Sequence, residues 1–464
     1  MKYTHVLVVA VLACAHRAAA QEATPDPAPA GIQPNVEPAQ PPSERPPDEI
    51  AKLRDEVSEL RDDVTALENR VDTLAPLTAK LTGYLDVGFY DVSGDGSGIR
   101  ADIGNLDFPK YAYVGPSWVF MGDPLSTAIN AHGDPATTGP SKAVTFDPIK
   151  SGGPSFILNQ ATIGLFGEVS KNLLFQAKID FIPRDRDVSV PSDLSLGDYI
   201  DARLAYLEYR IDRPWMKLSL FAGKFDSVIG YEYRSQESPT RIEVTPSLIC
   251  RYTCGYPVGL KARAQWLDQK LSLALAVTNG SQFAENFDFN DEIDTNAFKT
   301  LSGRLGYGMK GFELGVSGMF GAQDGQTSNS VYQYLYGADV HYDRDNFVFR
   351  AEIVKGRAQG KTGDSPASTP CDDAPCLNFN GAYALVAYRL TNIIEPYLRS
   401  DWRDALHRSG QNFVYISKVY RFTPGIHLNI NANLSVKAEF TWNREYSMPQ
   451  IPDNIFTSSL VAKF

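Results

Sequence analysis

Beyond its first twenty residues, this chain of 464 residues contains no long apolar run. A helix needs about 20 consecutive, mostly apolar residues to span a bilayer, so the sequence excludes a helical membrane protein. An excess of basic residues is also missing, because 44 Lys and Arg stand against 55 Asp and Glu and the net charge is −11. Nucleic-acid-binding proteins carry clustered positive charge, and we therefore predict no nucleic-acid partner.

Motifs for catalysis or cofactor binding are missing too. The chain has no G-x-S-x-G, no H-E-x-x-H and no phosphate-binding glycine loop, the short patterns that place a nucleophile, a zinc ion or a nucleotide. Its histidines are few and scattered: His5, His16, His132, His341, His407 and His427. We predict that the protein is not an enzyme and binds no cofactor or metal ion. A Ser–His pair brought together only by folding is the alternative that this argument leaves open.

Only five cysteines are present, and four of them form two close pairs, Cys250 with Cys254 and Cys371 with Cys376. In an exported chain, which meets an oxidising compartment, two local disulfides are the natural pairing. Metal binding is the alternative, but no histidine lies near either pair. Redox catalysis prefers a C-x-x-C spacing, which neither pair has. We predict that both pairs are disulfides that staple loops.

Residues 1–20 predict export. Lys2 precedes an apolar core from Val6 to Ala13, and three alanines at 18–20 offer a small-residue cleavage site. Together these features are typical of a secretory signal peptide. The alternative is lipoprotein processing at Cys14, whose neighbourhood loosely resembles a lipoprotein cleavage box. A lipid on that cysteine would tether the N-terminus to a membrane.

Two further segments precede the main part of the chain. Residues 21–49 are dense in Pro, Ala and acidic residues, a composition that predicts an extended linker. Residues 50–75 predict a coiled coil, because their apolar residues alternate spacings of three and four: Ile50, Leu53, Val57, Leu60, Val64, Leu67, Val71 and Leu74. This strict period favours a seam between like helices over one amphipathic helix packed on its own domain. Val or Ile at a with Leu at d nominally favours a dimer.

From residue 81 to 464, runs of about ten residues with alternating polarity recur between turn-rich segments, which is the pattern of a membrane-spanning β-barrel. We predict sixteen antiparallel strands, an all-β fold preceded by the helical coiled coil. The strands are expected to begin near Leu81, Phe156, Asn172, Asp201, Lys217, Leu260, Lys270, Thr300, Phe312, Gln333, Asn346, Gly381, Ile393, Phe413, Leu434 and Ile455. Sixteen strands leave a water-filled lumen.

The connections alternate in length. Those after even strands are tight: Val169 to Lys171, Asp212 to Trp215, Asp268-Gln269, Met309 to Gly311, Asp343 to Asp345, Thr391-Asn392 and Asn431 to Asn433. Those after odd strands are mostly long. In bacterial barrels the short turns are periplasmic and the long loops extracellular. We therefore predict the outer membrane of a Gram-negative bacterium, with the coiled coil in the periplasm.

Within the strands the two faces differ in polarity. In the third, Phe175, Ala177 and Ile179 alternate with Lys178 and Asp180, so one face is apolar and the other polar. A soluble β-sandwich also alternates and is the alternative for any single strand. The loop asymmetry and the terminal Phe464 favour a lipid-facing wall around a polar lumen.

The third long connection, Asp226 to Gly259, is where we expect function to concentrate. Its two ends, Gly223-Lys224-Phe225 with Gly230 and the run Gly255-Tyr256-Pro257-Val258-Gly259-Leu260, resemble the corresponding segments of the phosphate-selective porins O and P and related outer-membrane porins. The order of signal peptide, coiled coil and sixteen strands is similar as well. The resemblance implies a trimer of barrels that carries small solutes, sometimes anions, by diffusion, with the third loop folded inward. A trimer conflicts with the dimer that the heptads nominally favour.

Charged residues that line such a lumen are the candidate site. In the loop they are Arg234, Arg241, Arg251, Glu232, Glu237 and Glu243, and on the predicted lumen faces the cations are Lys178, Lys261, Arg263, Arg350, Arg399, Arg403 and Lys437. These wall cations outnumber Asp180, Glu352, Asp401 and Glu439. The mild excess predicts a weak anion preference. The alternative is that the charges only solvate the wall and pair across strands.

We therefore predict a porin that allows passive diffusion of small hydrophilic solutes or ions. Its partners are expected to be outer-membrane lipid and other copies of the chain. The alternative is a structural or adhesive barrel, whose long first loop from Asp91 to Ser155 binds partners while the coiled coil contacts the cell wall. Acidic residues in that loop fit no ordered calcium motif.

Overall fold

The computed structural model describes residues 80–93, 100–101, 145–146, 154–181, 200–280, 296–322, 329–359, 376–409, 412–445 and 454–464. The predicted signal peptide (1–20), linker (21–49) and coiled coil (50–75) lie outside these residues. So do Cys371 and most of the first long loop. Those predictions stay predictions.

The described chain is built almost entirely from long β-strands. In chain order they are β1 (Lys80–Ser93), β2 (Ser155–Ser170), β3 (Leu173–Phe181), β4 (Ile200–Arg213), β5 (Met216–Lys224), β6 (Val258–Trp266), β7 (Leu271–Thr278), β8 (Thr300–Met309), β9 (Phe312–Ala322), β10 (Tyr332–Arg344), β11 (Phe347–Gln359), β12 (Cys376–Tyr388), β13 (Ile394–Ser409), β14 (Asn412–Asn431), β15 (Leu434–Glu445) and β16 (Asn454–Lys463). A two-residue pairing of Arg100–Ala101 with Thr145–Phe146 lies within the first long loop.

The sixteen strands form one closed antiparallel barrel in which each strand pairs with its neighbours in sequence. Closure joins β1 to β16, with Tyr84 opposite Lys463, and the backbone groups of Gly83 and Phe464 exchange two hydrogen bonds of 3.2 and 3.0 Å. The predicted strand number is confirmed. Every predicted start lies within two residues of the observed one except that of β12, which begins at Cys376 because β11 continues to Gln359 opposite it.

Tight turns connect the even strands to the odd strands that follow them. Lys310 and Gly311 form a two-residue turn between β8 and β9 with φ values of 51° and 83°, the left-handed geometry that two-residue hairpins favour. Asp345, with φ of 56°, lies in the equivalent turn between β10 and β11. We call this rim of the barrel the turn end and the opposite rim the loop end.

Side chains alternate between the two faces of the wall as predicted. Leu85 and Val87 are exposed on the outside, whereas Asp86 between them is fully buried inside. Large apolar side chains are exposed on nearly every strand, and the wall forms one closed barrel. An apolar exterior around a polar interior is the arrangement of a barrel whose outer surface contacts lipid.

Helical structure in the described residues is limited to two four-residue segments in the third long loop, the 3₁₀ turn Glu232–Ser235 and the α-helical turn Cys250–Thr253. None of the helices described is long and apolar enough to cross a membrane.

Candidate functional site in the third loop

The third loop, residues 225–257, joins β5 to β6 and lies inside the barrel. Most of its side chains are buried. It forms hydrogen bonds to inward-facing side chains of β1, β2, β9, β11, β13 and β15. Because β1 and β9 stand half-way round the barrel from each other, the loop crosses the lumen.

The first part of the loop is held by β9 and β11. The Glu352 carboxylate accepts hydrogen bonds from the backbone N–H groups of Tyr231 at 3.0 Å and Glu232 at 3.3 Å. The N–H of Gly230 donates to Ser317 Oγ at 3.2 Å. Gly230 has φ of +69°, and a Cβ there would overlap the Glu352 carboxylate. This position therefore requires glycine both for its conformation and for its close approach to the wall.

Replacing Gly230 by alanine should loosen this attachment. The left-handed conformation alone costs a residue with a Cβ about 1–2 kcal/mol, and Glu352 must also move away from the N–H groups that it binds. We expect a lower unfolding temperature in detergent, measured by circular dichroism. Gly318→Ala is the matched control, because the nearest atom to its Cβ would be Leu335 O at 3.5 Å. Equal shifts in both variants would contradict the attachment.

The central part of the loop is held by β15 and β13. The Glu439 carboxylate accepts hydrogen bonds from the N–H of Val244 at 3.0 Å and from both the N–H, at 3.1 Å, and the hydroxyl of Thr245. Tyr397 OH donates to the same carboxylate at 2.7 Å. All of these groups are buried, so one carboxylate binds three loop donors and one wall donor.

Two buried cations of the wall also bind the central part of the loop. The Lys437 ammonium donates to the carbonyl oxygens of Ser238 at 2.6 Å, Arg241 and Glu243 at 3.3 Å. The Arg399 guanidinium donates to the carbonyl oxygen and, at 3.1 Å, the hydroxyl of Thr245. Neither side chain has any solvent exposure. Lys437 and Arg399 therefore bind the loop backbone instead of water.

Strands β13, β1 and β2 supply further acceptors for the loop. Asp401 accepts the N–H of Leu248 at 3.1 Å and pairs with Arg399 at 2.9 Å. On the other side of the closure, Asp86 accepts the Ser238 hydroxyl, and Gln160 accepts the Ser238 N–H at 3.0 Å. Wall side chains thus satisfy several backbone groups of a segment that forms no ladder of its own.

Other polar residues stabilise the loop internally. Arg241 donates to the carbonyl oxygens of Gln236 at 2.8 Å, Glu243 at 3.2 Å and Val244 at 2.7 Å. Glu232 accepts the N–H of Ser247 at 2.8 Å and its hydroxyl. Burial raises the pKa of Glu232 to about 7, although the Ser247 hydrogen bonds act in the opposite direction.

The first cysteine pair flanks the short helix of the loop, which begins at Cys250 and is followed by Cys254. Cys250 and Cys254 are buried and their sulfur atoms are bonded to each other. A metal ion would need thiolates, which bonded sulfurs do not offer. The side chain of Arg251, between them, lies outside the described side chains, and so does that of Cys376.

Apolar contacts add to the polar ones. Val228, Ile229 and Ile249 of the loop belong to one buried cluster with inward-facing wall residues such as Leu335 and Leu385. A Cβ added at Gly381 of β12 would overlap Ile249, so the wall is shaped to receive that side chain. A packed apolar cluster inside the barrel makes the loop part of the folded core.

Charged side chains on the other side of the loop keep contact with solvent. Lys178 pairs with Glu237, and these side chains are 19% and 21% exposed. Arg234 pairs with Glu313 at 3.0 Å, and these are 33% and 22% exposed. Arg234 also stacks over the ring of Tyr231 at 4.9 Å.

The remaining predicted charged residues lie next to these exposed pairs or are buried between the loop and the wall. Lys261 donates to the carbonyl oxygen of Asp226 at 3.0 Å and lies 4.6 Å from the ring centre of Phe225. Arg350 donates to Ser235 Oγ at 3.1 Å. Arg403 is fully buried, and Glu243 lies 3.8 Å from Arg399.

The structure thus divides the sequence-predicted charges into two groups. Buried residues that hold the loop are Arg241, Glu232, Glu243, Arg399 and Lys437, and partly exposed residues are Lys178, Glu237, Arg234 and Arg263. The sequence analysis did not identify Asp86, Gln160, Glu313 and Arg304, which bind the third loop or pair with the charges beside it. Their inward positions in alternating strands were the available signal, but alternation does not show which of them contact the loop.

Comparison with known proteins assigns this barrel to a family. Residues 147–462 match the model of the family described as "Putative beta-barrel porin-2, OmpL-like". The chain belongs to this family of β-barrel porins. The family match makes it a porin-like barrel of the Gram-negative outer membrane. Membership in the phosphate-selective family stays a prediction. Among curated proteins, none matches the chain significantly.

Solved structures with a similar fold are also outer-membrane proteins. OmpF of Salmonella typhi in complex with daunomycin has 10% identity and a TM-score of 0.48, with 83% of this chain and 97% of that chain covered. The outer-membrane channel DcaP of Acinetobacter baumannii has 11% identity, the same coverage and a TM-score of 0.48. In-vitro folded OmpT of Vibrio cholerae, in a trimer form, has 11% identity, covers 83% and 99%, and has a TM-score of 0.45. At these values the similarities add nothing to the fold described above.

Proposed function

We propose that this porin allows passive diffusion of small hydrophilic solutes or ions past the third loop, with a weak preference for anions. The observation that supports it is an asymmetry around the loop. On the β13–β15 side, Arg399, Arg403 and Lys437 have no solvent exposure. On the β3–β9 side, Lys178, Arg234 and Glu313 remain partly exposed. We infer that the water-filled path follows β3 to β9 and that the third loop narrows it there.

The expected selectivity is weak because most charges on this path are already paired. Lys178 pairs with Glu237 and Arg234 with Glu313, and paired charges attract a passing ion less than free ones. Arg263 has no ion pair with any carboxylate of the described chain. Such a path replaces part of the hydration of an anion without trapping it.

Conductance in a planar lipid bilayer tests this function. Purified full-length protein should give ohmic single-channel steps in potassium chloride, and the reversal potential in a salt gradient should show a chloride-to-potassium permeability ratio modestly above one. A silent bilayer with correctly folded protein would contradict the porin function and favour the adhesive barrel. A ratio below one would contradict only the anion preference.

Assembly and orientation are part of the same proposal. The heptads of residues 50–75 support a homo-oligomer, for which we propose a trimer with the coiled coil in the periplasm. We propose that the coiled coil contacts the cell wall there. The disulfide between Cys250 and Cys254 is proposed to stiffen the loop that narrows the lumen, and Cys371 and Cys376 to staple the sixth long loop.

A further inference from the structure

A cavity of about 230 Å³ lies between the third loop and the walls of β6 to β9, near the turn end. Its charged lining consists of Arg234, Arg263, Lys270, Arg304 and Glu313. Hydroxyl and amide groups of Tyr233, Gln265 and Ser272 also line it. Four cations therefore share the lining with one carboxylate.

The lining carboxylate is already engaged. Glu313 pairs with Arg234 at 3.0 Å and with Arg304 at 2.8 Å. Arg304 is also held from behind by Asp339, which is buried. Among the described residues no carboxylate forms an ion pair with Arg263 or Lys270. Arg263 and Lys270 therefore contribute positive charge that no ion pair of the described residues neutralises, although Glu208 interacts with Arg263 at longer range.

The guanidinium of Arg263 lies near an aromatic ring. It lies 5.9 Å from the centre of the Phe221 ring, and Lys261 lies over the same ring at 4.6 Å. A weakly hydrated guanidinium against an aromatic face keeps its N–H groups free for a planar acceptor such as a carboxylate.

Tyr233 belongs to the third loop and lines the cavity, and its pKa indicates the sign of the electrostatic potential there. Burial alone would raise the pKa of the Tyr233 phenol, but Arg234, Arg263 and Lys261 around it bring the pKa below its ordinary value. A negative charge is therefore stabilised at this side chain. The same field acts on an anion in the cavity next to it.

The size of the cavity narrows the ligand class. Since a water molecule occupies about 30 Å³ of liquid, 230 Å³ corresponds to roughly seven or eight waters, more than a chloride or a single inorganic oxyanion fills. A short organic acid fits this volume. Glu313 in the lining keeps binding weak enough for release, which conduction requires.

We propose that this cavity is a transient binding site for short organic carboxylates on the solute path, with Arg263 as the residue that recognises the carboxylate. The proposal rests on the proposed porin function for its physiological role. Binding itself depends only on the lining residues, so the two are tested separately.

Succinate is the probe for both measurements. In the first, succinate is titrated against the chloride current of single channels of the full-length protein. Removing one charge about 5 Å from the ligand in a water-filled site should weaken the block about fourfold in Arg263→Gln. Arg344→Gln is the matched control, because Arg344 lies at the same end of the barrel, in an exposed pair with Asp345.

The second measurement is saturation-transfer NMR of succinate with detergent-solubilised protein, which needs no current. Transfer should be clear in wild type and Arg344→Gln and reduced in Arg263→Gln. Transfer with this pattern in a protein that conducts no ions would keep the site and remove the porin function. Equal block and equal transfer in wild type and Arg263→Gln would overturn the site, as would inhibition by phosphate with none by succinate.

Discussion

Replacing Glu439 by leucine should release the central part of the third loop and raise the single-channel conductance. In the native protein this carboxylate accepts the N–H groups of Val244 and Thr245, the Thr245 hydroxyl and Tyr397 OH. Leucine accepts none of them, and each buried donor left without a partner costs about 1–3 kcal/mol. The free energy of the loop is then lower when it leaves the wall, because water in the lumen can hydrogen-bond to its backbone.

We expect noisier channels with a conductance at least about twofold higher, together with a lower unfolding temperature, because several unpaired buried groups outweigh the added apolar contacts. Glu439→Gln should give a smaller effect, since its carbonyl oxygen retains part of the acceptor capacity. Glu168→Leu, which removes an exposed carboxylate on β2, is the control for charge alone. If Glu439→Leu and Glu168→Leu change the conductance equally, the loop is not held by Glu439.

Replacing Lys437 by methionine should destabilise the barrel more than any exposed lysine substitution. Methionine has similar length but donates no hydrogen bond, so the carbonyl oxygens of Ser238, Arg241 and Glu243 lose their shared donor. Each buried carbonyl oxygen left without a donor costs about 1–3 kcal/mol. Thermal unfolding in detergent should therefore begin several degrees lower.

Lys418→Met is the matched control, because Lys418 is an exposed lysine of β14 and its loss should change the unfolding temperature little. Refolding yield from urea is a second measurement, since the third loop must form its hydrogen bonds with the Lys437 ammonium group to pack inside the barrel. Unfolding temperatures of Lys437→Met and Lys418→Met that agree within error would show that Lys437 does not hold the loop.

The two predictions concern residues whose positions, but not whose roles, follow from the sequence. Alternation in β15 places Lys437 and Glu439 on the inner face because Phe440 and Trp442 on the same strand require the lipid-facing side. That pattern is local and needs only neighbouring residues. It makes both residues lumen charges, the interpretation that predicts selectivity, and gives no sign that a loop almost 200 positions earlier covers them.

Inward-facing side chains of the same type also differ in their surroundings inside the barrel. Arg263 and Arg399 both occupy inward positions on alternating strands, but Arg399 is fully buried against Thr245 whereas Arg263 lines an open cavity. Two arginines with the same sequence signature thus lie in different surroundings. Only the path of the loop through the lumen decides which one is covered and which one lines a cavity.

The sequence by itself determined the sixteen strands, their closure, the face that each residue presents and the unequal lengths of the connections. These features depend on alternation with period two and on turn residues, which act over a few positions. Tertiary structure alone decided that the third loop joins the core and that Glu352, Lys437 and Glu439 hold it. The physical reason is that these contacts satisfy buried backbone groups across more than 100 positions of sequence, and no local pattern encodes such a pairing.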